Sequence, residues 1–264
     1  MKKNMLIFSL MTLMLSCFSQ ENTLIQTTDS VKTDIITGAE QTALYLPLLQ
    51  GKKVALCGNQ TSTIGKTHLV DTLIKSGIKP VKIFCPEHGF RGEAEAGAHI
   101  QSTIDSKTGI PIVSLYGSNK KPTAEQMSGI DILIFDIQDV GCRFYTYIST
   151  LHYVMESAAE CNVQVIIFDR PNPNGYFVDG PVLQMEYSSF VGMHPVPVVH
   201  GMTIGEYGSM INQEGWLKNN VKCNLTVIPM KNYTHSLRYS LPVSPSPNLR
   251  TDEATGREYL SECV

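Results

Sequence analysis

The most hydrophobic strand candidate of this chain is Ile130-Asp131-Ile132-Leu133-Ile134-Phe135-Asp136-Ile137. After it, residues 147–161 have apolar positions at helical spacing and good helix formers, and residues 163–168 return to a β-branched apolar run. Near-continuous apolar strands are typical of a parallel sheet that is covered on both faces, because strands with one exposed face alternate apolar and polar residues. The three segments therefore predict a strand–helix–strand unit of an α/β protein.

The same alternation extends in both directions from this unit. Thr123 with Gln126 and Thr203 with Glu206 have the spacing of capping boxes, so each pair predicts the start of a helix. The fold class predicted is α/β, a Rossmann-like doubly wound and mostly parallel sheet, in which ligands bind at the carboxyl ends of the strands. Further strands are predicted at residues 53–57, 81–85, 112–115 and 225–228, and further helices at residues 68–75, after residue 123, and at residues 203–212.

The start of the chain predicts an exported protein. Lys2 and Lys3 precede an apolar run that ends at Leu15, which is too short to span a bilayer but suits a secretory signal. The following Cys17 completes a sequence that resembles a bacterial lipoprotein signal. We therefore expect a lipid anchor on Cys17 and a location in the periplasm or on the outer membrane. Ordinary signal cleavage near residues 16–20 is the alternative.

The predicted organisation has four parts. Residues 20–40 have no apolar period, and prolines recur from residue 242 to residue 247, so both stretches suit tethers or linkers. Too few residues follow the prolines to build another domain. We predict a signal segment at 1–19, a tether at 20–40, a Rossmann-like catalytic domain at 41–241, and a linker with a truncated or frameshifted tail at 242–264.

Composition and charge exclude several classes of protein. A content of 42% hydrophobic and 17% charged residues is ordinary for a globular protein. A net charge of -3 offers no basic field to a polyanion, so no nucleic acid partner is predicted. There is no C-x-x-C and no His-Glu-x-x-His, so no metal and no cofactor are predicted. Gly65-Lys66-Thr67 resembles the end of a nucleotide-binding P-loop, but Gln60 stands where that loop needs a glycine, which excludes an NTPase.

Polar side chains follow the predicted strands at the point where each strand ends. Because the carboxyl ends of parallel strands meet at one edge of a sheet, we expect these residues to line one rim. For Asp139 or Asn172 taken alone, a cap or a turn is the preferred interpretation. The residues are Asn59 and Gln60 after the first strand, Glu87 and His88 after the second, Asp136, Gln138, Asp139 and Arg143 after the fourth, and Asp169, Arg170 and Asn172 after the fifth.

Glu87 is the strongest catalytic candidate. It lies in Pro86-Glu87-His88-Gly89-Phe90-Arg91-Gly92, where two glycines let the backbone turn sharply and approach a ligand closely. A carboxyl beside Phe84 and Phe90 is expected to have a raised pKa and to act as a general acid. The alternative is an ion pair of Glu87 with Arg91 or Arg143 that only holds the loop.

A second acidic group would complete the pair of carboxylates that glycoside hydrolysis uses. Asp136 and Asp169 are candidates, and His200 either lines the same cleft from a later loop or is a structural histidine. Arg143 precedes Phe144-Tyr145-Thr146-Tyr147, which combines a fork suited to a carboxylate with aromatic faces suited to a sugar ring. Packing of the tyrosines on the core explains this run equally well.

Several motifs, in the same order, resemble the NamZ-type exo-β-N-acetylmuramidases over residues 45–250. The resemblance implies a peptidoglycan-recycling glycoside hydrolase that removes N-acetylmuramic acid from the non-reducing end of muropeptide or MurNAc-GlcNAc sugars. It also implies a Rossmann-like domain and a smaller C-terminal domain that flank the cleft. The motifs are Gly51-Lys52-Lys53-Val54, Asn59-Gln60-Thr61-Ser62, the heptapeptide that contains Glu87, Phe135-Asp136-Ile137-Gln138-Asp139-Val140-Gly141, Arg143-Phe144-Tyr145-Thr146-Tyr147, Asp169-Arg170-Pro171-Asn172-Pro173 and His200-Gly201-Met202-Thr203.

The resemblance also suggests roles for residues. Glu87 falls in the motif of the family's proposed catalytic glutamate, and Asp136, Asp169 and His200 are ranked candidates for a second catalytic group. Residues 250–264 do not look like the family's usual continuation, so we expect a truncated chain with little or no activity. A non-catalytic sugar-binding lipoprotein and an inactive fragment are the alternatives. The candidates for substrate binding are His88, Arg91, Asn59, Gln138, Arg143, Tyr145, Arg170 and Asn172, of which Arg143 suits the lactyl carboxylate by its chemistry.

Overall fold

The computed structural model describes residues 34–91, 103–246 and 249. The predicted signal segment with Cys17, most of the predicted tether and the tail from residue 250 onward lie outside the described residues. Among the helices of the described part, none has the length and apolar character needed to cross a bilayer.

The described part contains every strand and helix that the sequence predicts, with ends shifted by at most two residues, so the α/β prediction is confirmed. The capping boxes that begin the third and fifth helices are both present. The α-helices are α1 (Thr42–Leu49), α2 (Leu69–Lys75), α3 (Ala124–Met127), α4 (Tyr147–Glu160) and α5 (Ile204–Gln213). The strands are β1 (Val54–Gly58), β2 (Thr63–Ile64), β3 (Thr67–His68), β4 (Lys82–Cys85), β5 (Thr103–Ile104), β6 (Pro111–Ser114), β7 (Ile132–Asp136), β8 (Gln164–Phe168) and β9 (Leu225–Ile228).

Seven of these strands form one sheet in the order β5-β6-β4-β1-β7-β8-β9. All neighbours in it are parallel except β5, which runs antiparallel to β6 at the edge. The chain moves outward from β1 through β4 to β6, returns to β7 on the other side of β1, and continues outward to β9. This is the predicted doubly wound, Rossmann-like topology, and its switch point lies between the carboxyl ends of β1 and β7.

Helices cover both faces of the sheet because alternate side chains of the central strands point to opposite sides. In β1, Val54 and Leu56 pack into the layer that holds α1 and α2, whereas Ala55 and Cys57 pack into the layer that holds α3, α4 and α5. All residues of β1 and β7 are buried. Burial on both faces explains why these strands are continuous apolar runs in the sequence.

Three features escape the sequence patterns, namely α1, the β2–β3 hairpin and β5. α1 exposes Leu44 and Leu48 and contains Pro47, so it lacks the polar face of an amphipathic helix. β2, β3 and β5 are too short to show a period. Gly65 lies in the hairpin turn with a φ of +56°, a left-handed conformation that glycine adopts easily. Gly65-Lys66-Thr67 is therefore part of a hairpin and not of a P-loop.

The folded body begins before residue 41, where the tether was predicted to end. Ile36 exchanges backbone hydrogen bonds with Lys231 at 3.1 and 2.9 Å. Gly38–Glu40 forms a 3₁₀ helix, and Gly38 N donates to Asp169 O at 2.9 Å, at the end of β8. The last residues of the predicted 20–40 tether therefore belong to the folded body. Backbone hydrogen bonds hold them there, and such bonds leave no hydrophobic pattern in the sequence.

The proline-containing stretch at residues 242–246 packs on the domain instead of leaving it as a linker. Gln60 Nε2 donates to two carbonyl oxygens of this stretch, at 3.2 and 2.9 Å. Leu241 and Leu249, on either side, belong to one small apolar cluster. The boundary at residue 241 is therefore corrected as well. Proline removes donors and prevents regular structure, but its carbonyl oxygen still accepts hydrogen bonds.

Candidate active site

The candidate active site lies at the switch point of the sheet, where the chain leaves β1 and β7 in opposite directions. Open α/β sheets bind ligands in the crevice at such a point. Asn59 directly follows β1, Asp139 lies shortly after β7, and Glu87 lies shortly after β4, the neighbour of β1. The structure thus forms the rim that the strand ends predict.

Glu87 is half-buried in a loop with an uncommon backbone conformation. His88 and Gly89 both have left-handed φ values, +70° and +76°, and Gly89 N donates to Pro86 O at 3.3 Å. A left-handed histidine is uncommon and persists only where the surrounding fold requires it. The Tyr116 hydroxyl, after β6, donates a hydrogen bond to the Glu87 carboxylate, whose negative charge is the main cause of the raised pKa of Tyr116.

Tyr147, the first residue of α4, connects Glu87 to a second carboxylate. Burial raises the pKa of Tyr147 to about 12, and the charges of Glu87 and Asp139 both add to this shift. Hydrogen bonds with Tyr145 and Asn59 act in the opposite direction. Two carboxylates from different strand ends therefore lie near one phenol. Because its pKa is raised, this phenol keeps its proton at neutral pH and acts as a neutral hydrogen-bonding group.

Asp139 and His200 form a buried pair beside Tyr147. Asp139 Oδ2 accepts the Gly141 N–H at 2.8 Å and lies 3.6 Å from His200 Nε2. His200 Nδ1 accepts the Met202 N–H at 3.2 Å. The proton of a neutral His200 is therefore on Nε2, facing Asp139. The Met202 N–H thus fixes the tautomer of the ring, and the Gly141 N–H fixes the position of the carboxylate.

Asp136 and Arg170, predicted to act in catalysis and in substrate binding, are bound to each other. Asp136 is fully buried and forms a two-point ion pair with Arg170, at 2.6 and 2.9 Å. Burial alone would lower the pKa of Arg170, but the adjacent carboxylate more than offsets this and raises it. Arg170 also donates to Thr63 O at 3.1 Å, which ties β8 to the hairpin. This geometry favours a structural role for both side chains.

Asp169, the third acidic candidate, anchors the start of α5. Its carboxylate accepts the Gly205 N–H at 2.8 Å and the Thr203 hydroxyl at 3.0 Å. Burial raises its pKa to about 6, against the lowering effect of these hydrogen bonds. It lines a cavity of about 410 Å³ that also includes Glu206. The contacts of Asp169 therefore favour a role in holding α5 rather than one beside Glu87.

Two more predicted binding residues brace the loops around the site, and a third, His88, lies apart from them. Gln138 Nε2 donates to Pro171 O at 2.7 Å, and Asn172 Nδ2 donates to Met202 O at 2.8 Å. These bonds link the loops that follow β7 and β8 to the loop that precedes α5. His88 is buried and lines a separate cavity of about 200 Å³.

Arg91 and Arg143 were also predicted to bind substrate, but both form hydrogen bonds with other groups of the protein. Arg91 forms a two-point ion pair with Asp105, at 2.8 and 2.9 Å, and its hydrogen bonds are the main cause that lowers the pKa of Asp105 to about 2. Arg143 Nη1 donates to the carbonyl oxygens of Pro181 and Val196, at 2.9 and 2.6 Å. Both guanidinium groups therefore hold loops in place.

Three residues of the site are not among the catalytic and binding candidates, although Asp139 and Tyr147 lie in segments that the sequence singled out, and Tyr116 was missed altogether. Asp139 by itself has the pattern of a turn residue, and Tyr116 and Tyr147 fit a core equally well. Their membership depends on the strand order, which brings the ends of β4, β1 and β7 side by side. The available signal was the position of Asp139 shortly after a fully apolar strand. Of the predicted set, the structure gathers Glu87, Asn59, Tyr145 and His200 around these three residues.

A buried chain of hydrogen bonds runs behind His200. The Tyr207 ring packs edge-on against His200, with centroids 4.8 Å apart, and its hydroxyl lies 3.0 Å from His194 Nδ1. His194 Nε2 lies 2.9 Å from His152 Nδ1, and His152 Nε2 lies 3.5 Å from the Glu156 carboxylate. Because Glu156 favours the proton on His152 Nε2, Tyr207 donates to His194 and His194 donates to His152. Burial lowers the pKa of both histidines, that of His194 to about 3, so both rings are neutral at neutral pH.

Fold and site together define a class of protein, a doubly wound α/β protein with a pair of carboxylates at its switch point. In the part of the chain that the structure describes, no group of three side chains is placed to hold a metal ion. The chain belongs to the family described as "Exo-beta-N-acetylmuramidase NamZ, N-terminal", whose model matches residues 54–253. This confirms the resemblance found in the sequence, and the family is one of glycosidases.

Relatives of known name or structure support the same assignment. The chain is 47% identical over 220 residues to the "Peptidoglycan beta-N-acetylmuramidase NamZ" of Bacillus subtilis (strain 168), a match that covers 80% of this chain and 52% of that protein. A crystal structure of a DUF1343 family protein from Bacteroides fragilis NCTC 9343 is 51% identical with a TM-score of 0.75, covering 82% of this chain and 57% of that chain. A second one is 40% identical with a TM-score of 0.71, covering 78% and 52%. The chain therefore spans about half the length of the relatives it matches.

Gly141 donates its N–H to Asp139 and accepts the His200 N–H on its carbonyl oxygen at 3.2 Å, so it offers a test of this geometry. Its φ is +77°, and an added Cβ would lie 2.4 Å from Asn172 Oδ1. We expect Gly141→Ala to lower the free energy of unfolding by about 2 kcal/mol, from the strained backbone and the clash together, measured by urea denaturation. Gly51→Ala is the matched control, because its φ is +71° and nothing lies within 4 Å of an added Cβ. An equal loss in both variants would contradict the packing around Gly141.

The buried histidines predict how stability depends on pH. The pKa of His194 is lowered from 6.5 to about 3, and that of His152 is lowered too. Between these values the unfolded chain binds more protons than the folded chain, so the free energy of unfolding falls as the pH is lowered from about 6.5 toward about 3. We expect His194→Gln to make this fall shallower by about 1 kcal/mol per pH unit, measured by urea denaturation at several pH values.

His235→Gln is the control for this measurement. Burial would lower the pKa of His235, but Glu206 more than offsets this effect and raises it. The folded chain therefore binds more protons at His235 than the unfolded chain does, and its removal cannot make the acid-side fall shallower. If His194→Gln left the pH dependence unchanged, the His194 ring would not be held neutral in the folded protein.

Proposed function

We propose that this chain provides the catalytic Rossmann-like domain of an exo-acting glycoside hydrolase. The proposed reaction releases N-acetylmuramic acid from the non-reducing end of peptidoglycan fragments, as part of cell-wall recycling. The observation that carries the proposal is the placement of two carboxylates, Glu87 and Asp139, around the Tyr147 phenol at the switch point. The name of the Bacillus subtilis relative, a peptidoglycan beta-N-acetylmuramidase, supports the choice of substrate.

Glu87 acts as the general acid in this proposal. As the bond between the anomeric carbon and the glycosidic oxygen breaks, its electron pair moves to that oxygen, and Glu87 supplies the proton. Water adds its hydroxyl group to the anomeric carbon and releases its other proton, which replaces the one that Glu87 supplied. The Tyr116 hydroxyl donates to the Glu87 carboxylate. It thus holds the carboxylate in place without the fixed positive charge that an arginine would bring.

Asp139 acts as the second carboxylate and stabilises the positive charge that develops at the anomeric carbon. The Gly141 N–H holds Asp139 Oδ2, and the His200 ring lies beside this oxygen with Nε2 at 3.6 Å. Asp136 and Asp169 support the site through Arg170 and α5. This assignment differs from the ranking that the sequence suggests, because the contacts of Asp136 and Asp169 are already satisfied within the fold.

Release of product from a chromogenic N-acetylmuramide by the chain tests this proposal. We expect Glu87→Gln and Asp139→Asn to lower kcat/KM by about a hundredfold or more, because each removes a group that acts on the breaking bond. Glu125→Gln, at an exposed position of α3, is the matched control and should leave kcat/KM unchanged. A substitution at the position that aligns with Glu87 in the full-length Bacillus subtilis relative provides the same comparison.

Two outcomes would reject the proposed reaction. Unchanged activity of Glu87→Gln would remove Glu87 from the mechanism. Saturable binding of muropeptide sugars with no turnover, in the unsubstituted chain and in the relative, would favour the alternative of a non-catalytic sugar-binding protein. Thermal melting of each variant, compared with the unsubstituted chain, separates a loss of chemistry from a loss of fold.

We also propose that the protein is exported and anchored to a membrane by a lipid on Cys17, in the periplasm or on the outer membrane. The lysines and the short apolar run before Cys17 support this proposal. We expect Cys17→Ser to move the protein from the membrane fraction to the soluble fraction of cells, because the anchor can no longer be attached. Recovery of both forms in the same fraction would contradict lipidation.

A further inference from the structure

A cleft beside α2 is rich in lysine and is separate from the candidate active site. Its volume is about 510 Å³. The chain as a whole has a net charge of -3, so this cleft is a local reversal of charge. Such a cleft raises the local concentration of ligands of the opposite sign. Its described lining consists of Lys66, Thr67, His68, Asp71, Ile74, Lys75, Lys79, Lys107 and Thr108.

Among the described residues, carboxylates compensate only part of the positive charge of the cleft. Asp71, the acidic residue in the described lining, forms an ion pair with Lys107. Lys66, Lys75 and Lys79 are exposed, and no carboxylate among the described residues lies within ion-pair distance of them. The cleft therefore presents three ammonium groups to a ligand.

Separate segments bring the lysines together. Lys66 lies in the turn between β2 and β3, Lys75 is the last residue of α2, Lys79 precedes β4, and Lys107 follows β5. Because these positions are scattered along the chain, runs of charge in the sequence do not reveal the cluster. Lys66 belongs to the Gly65-Lys66-Thr67 motif, which is not a P-loop but places a lysine and a threonine in this cleft.

One wall of the cleft is bonded to the edge of the candidate active site. Burial lowers the pKa of His68 to about 4, so its ring is neutral. His68 Nδ1 accepts the Val70 N–H at 3.3 Å, so Nε2 carries the proton and donates to Asn59 O at 2.9 Å. Asn59 follows β1 at the switch point and contacts Tyr147. A ligand bound against His68 is thus held next to the crevice.

We propose that this cleft binds a chain of several phosphate groups, such as a phosphodiester or polyphosphate chain without aromatic bases. Lysine binds phosphate as a point charge, whereas two-point recognition of a carboxylate favours arginine, and the described lining contains no arginine. The hydroxyl of Thr67 adds a hydrogen-bond donor, whereas that of Thr108 donates to Asp105 Oδ2 at 2.5 Å. The described lining contains no Phe, Tyr or Trp, so nucleobases would find no platform for stacking.

Isothermal titration calorimetry of the chain with tripolyphosphate tests this site. We expect saturable binding that weakens as the salt concentration rises from about 20 mM to about 150 mM, because salt screens exposed charges. The triple variant Lys66→Gln/Lys75→Gln/Lys79→Gln should bind about tenfold more weakly or worse, since it removes three attractive charges. Inorganic phosphate should bind more weakly than tripolyphosphate because it reaches fewer lysines.

The matched control removes the same charge from exposed positions outside the cleft and should bind tripolyphosphate within about twofold of the unsubstituted chain. Equal weakening by the two triple variants, or no binding by the unsubstituted chain, would overturn the proposal. Citrate or oligothymidylate binding as tightly as tripolyphosphate would overturn the assignment of the ligand. Glu87→Gln should leave the binding of tripolyphosphate unchanged. A failure of the proposed hydrolysis is therefore distinguishable from a failure of this binding site. The control variant is Lys52→Gln/Lys218→Gln/Lys231→Gln.

Discussion

The buried ion pair between Asp136 and Arg170 is the constraint on which the rest of the rim depends. A carboxylate without solvent exposure costs several kcal/mol of folding free energy unless a partner stabilises its charge. Arg170 does so with two hydrogen bonds, and a third one reaches Thr63 O. The pair joins the ends of β7 and β8 to the hairpin that follows β1. Removal of either partner would leave an uncompensated charge in the core, so the walls of the crevice are fixed by the fold itself.

The acids along the rim differ in the chemistry of their partners. Asp136 and Asp169 are held by donors that the fold fixes, a guanidinium in one case and the start of α5 in the other. Glu87 lies beside tyrosine hydroxyls, and Asp139 lies beside His200. An arginine stays charged in proteins, whereas hydroxyl and neutral imidazole groups both donate and accept hydrogen bonds. The charge of its partner therefore separates Asp136 from the acids proposed to act, and Asp169 differs from them by its position at the start of α5.

Strand and helix positions follow from the sequence because burial on both faces produces apolar runs such as residues 130–137, and because Thr123 and Thr203 begin helices with capping boxes. The strand order does not follow from any local pattern. Asp136 and Asp139 show this limit. Both follow the same apolar strand, yet one is bound by an arginine from the next strand end and the other faces a histidine from a distant loop. Sequence therefore predicts the rim but not the pairing along it.

The stretch at residues 242–246 shows how a segment without apolar pattern shapes the site. Gln60 Nε2 donates to Pro245 O at 2.9 Å, and the Tyr147 hydroxyl donates to the same oxygen at 3.4 Å. Proline offers a carbonyl acceptor but no N–H donor. Pro245 therefore accepts the hydrogen bonds of two side chains at the rim, and one of them is the phenol that lies near Glu87 and Asp139. In the proposed function, this contact fixes the phenol between the two carboxylates, and the hydroxyl groups of the sugar supply further donors.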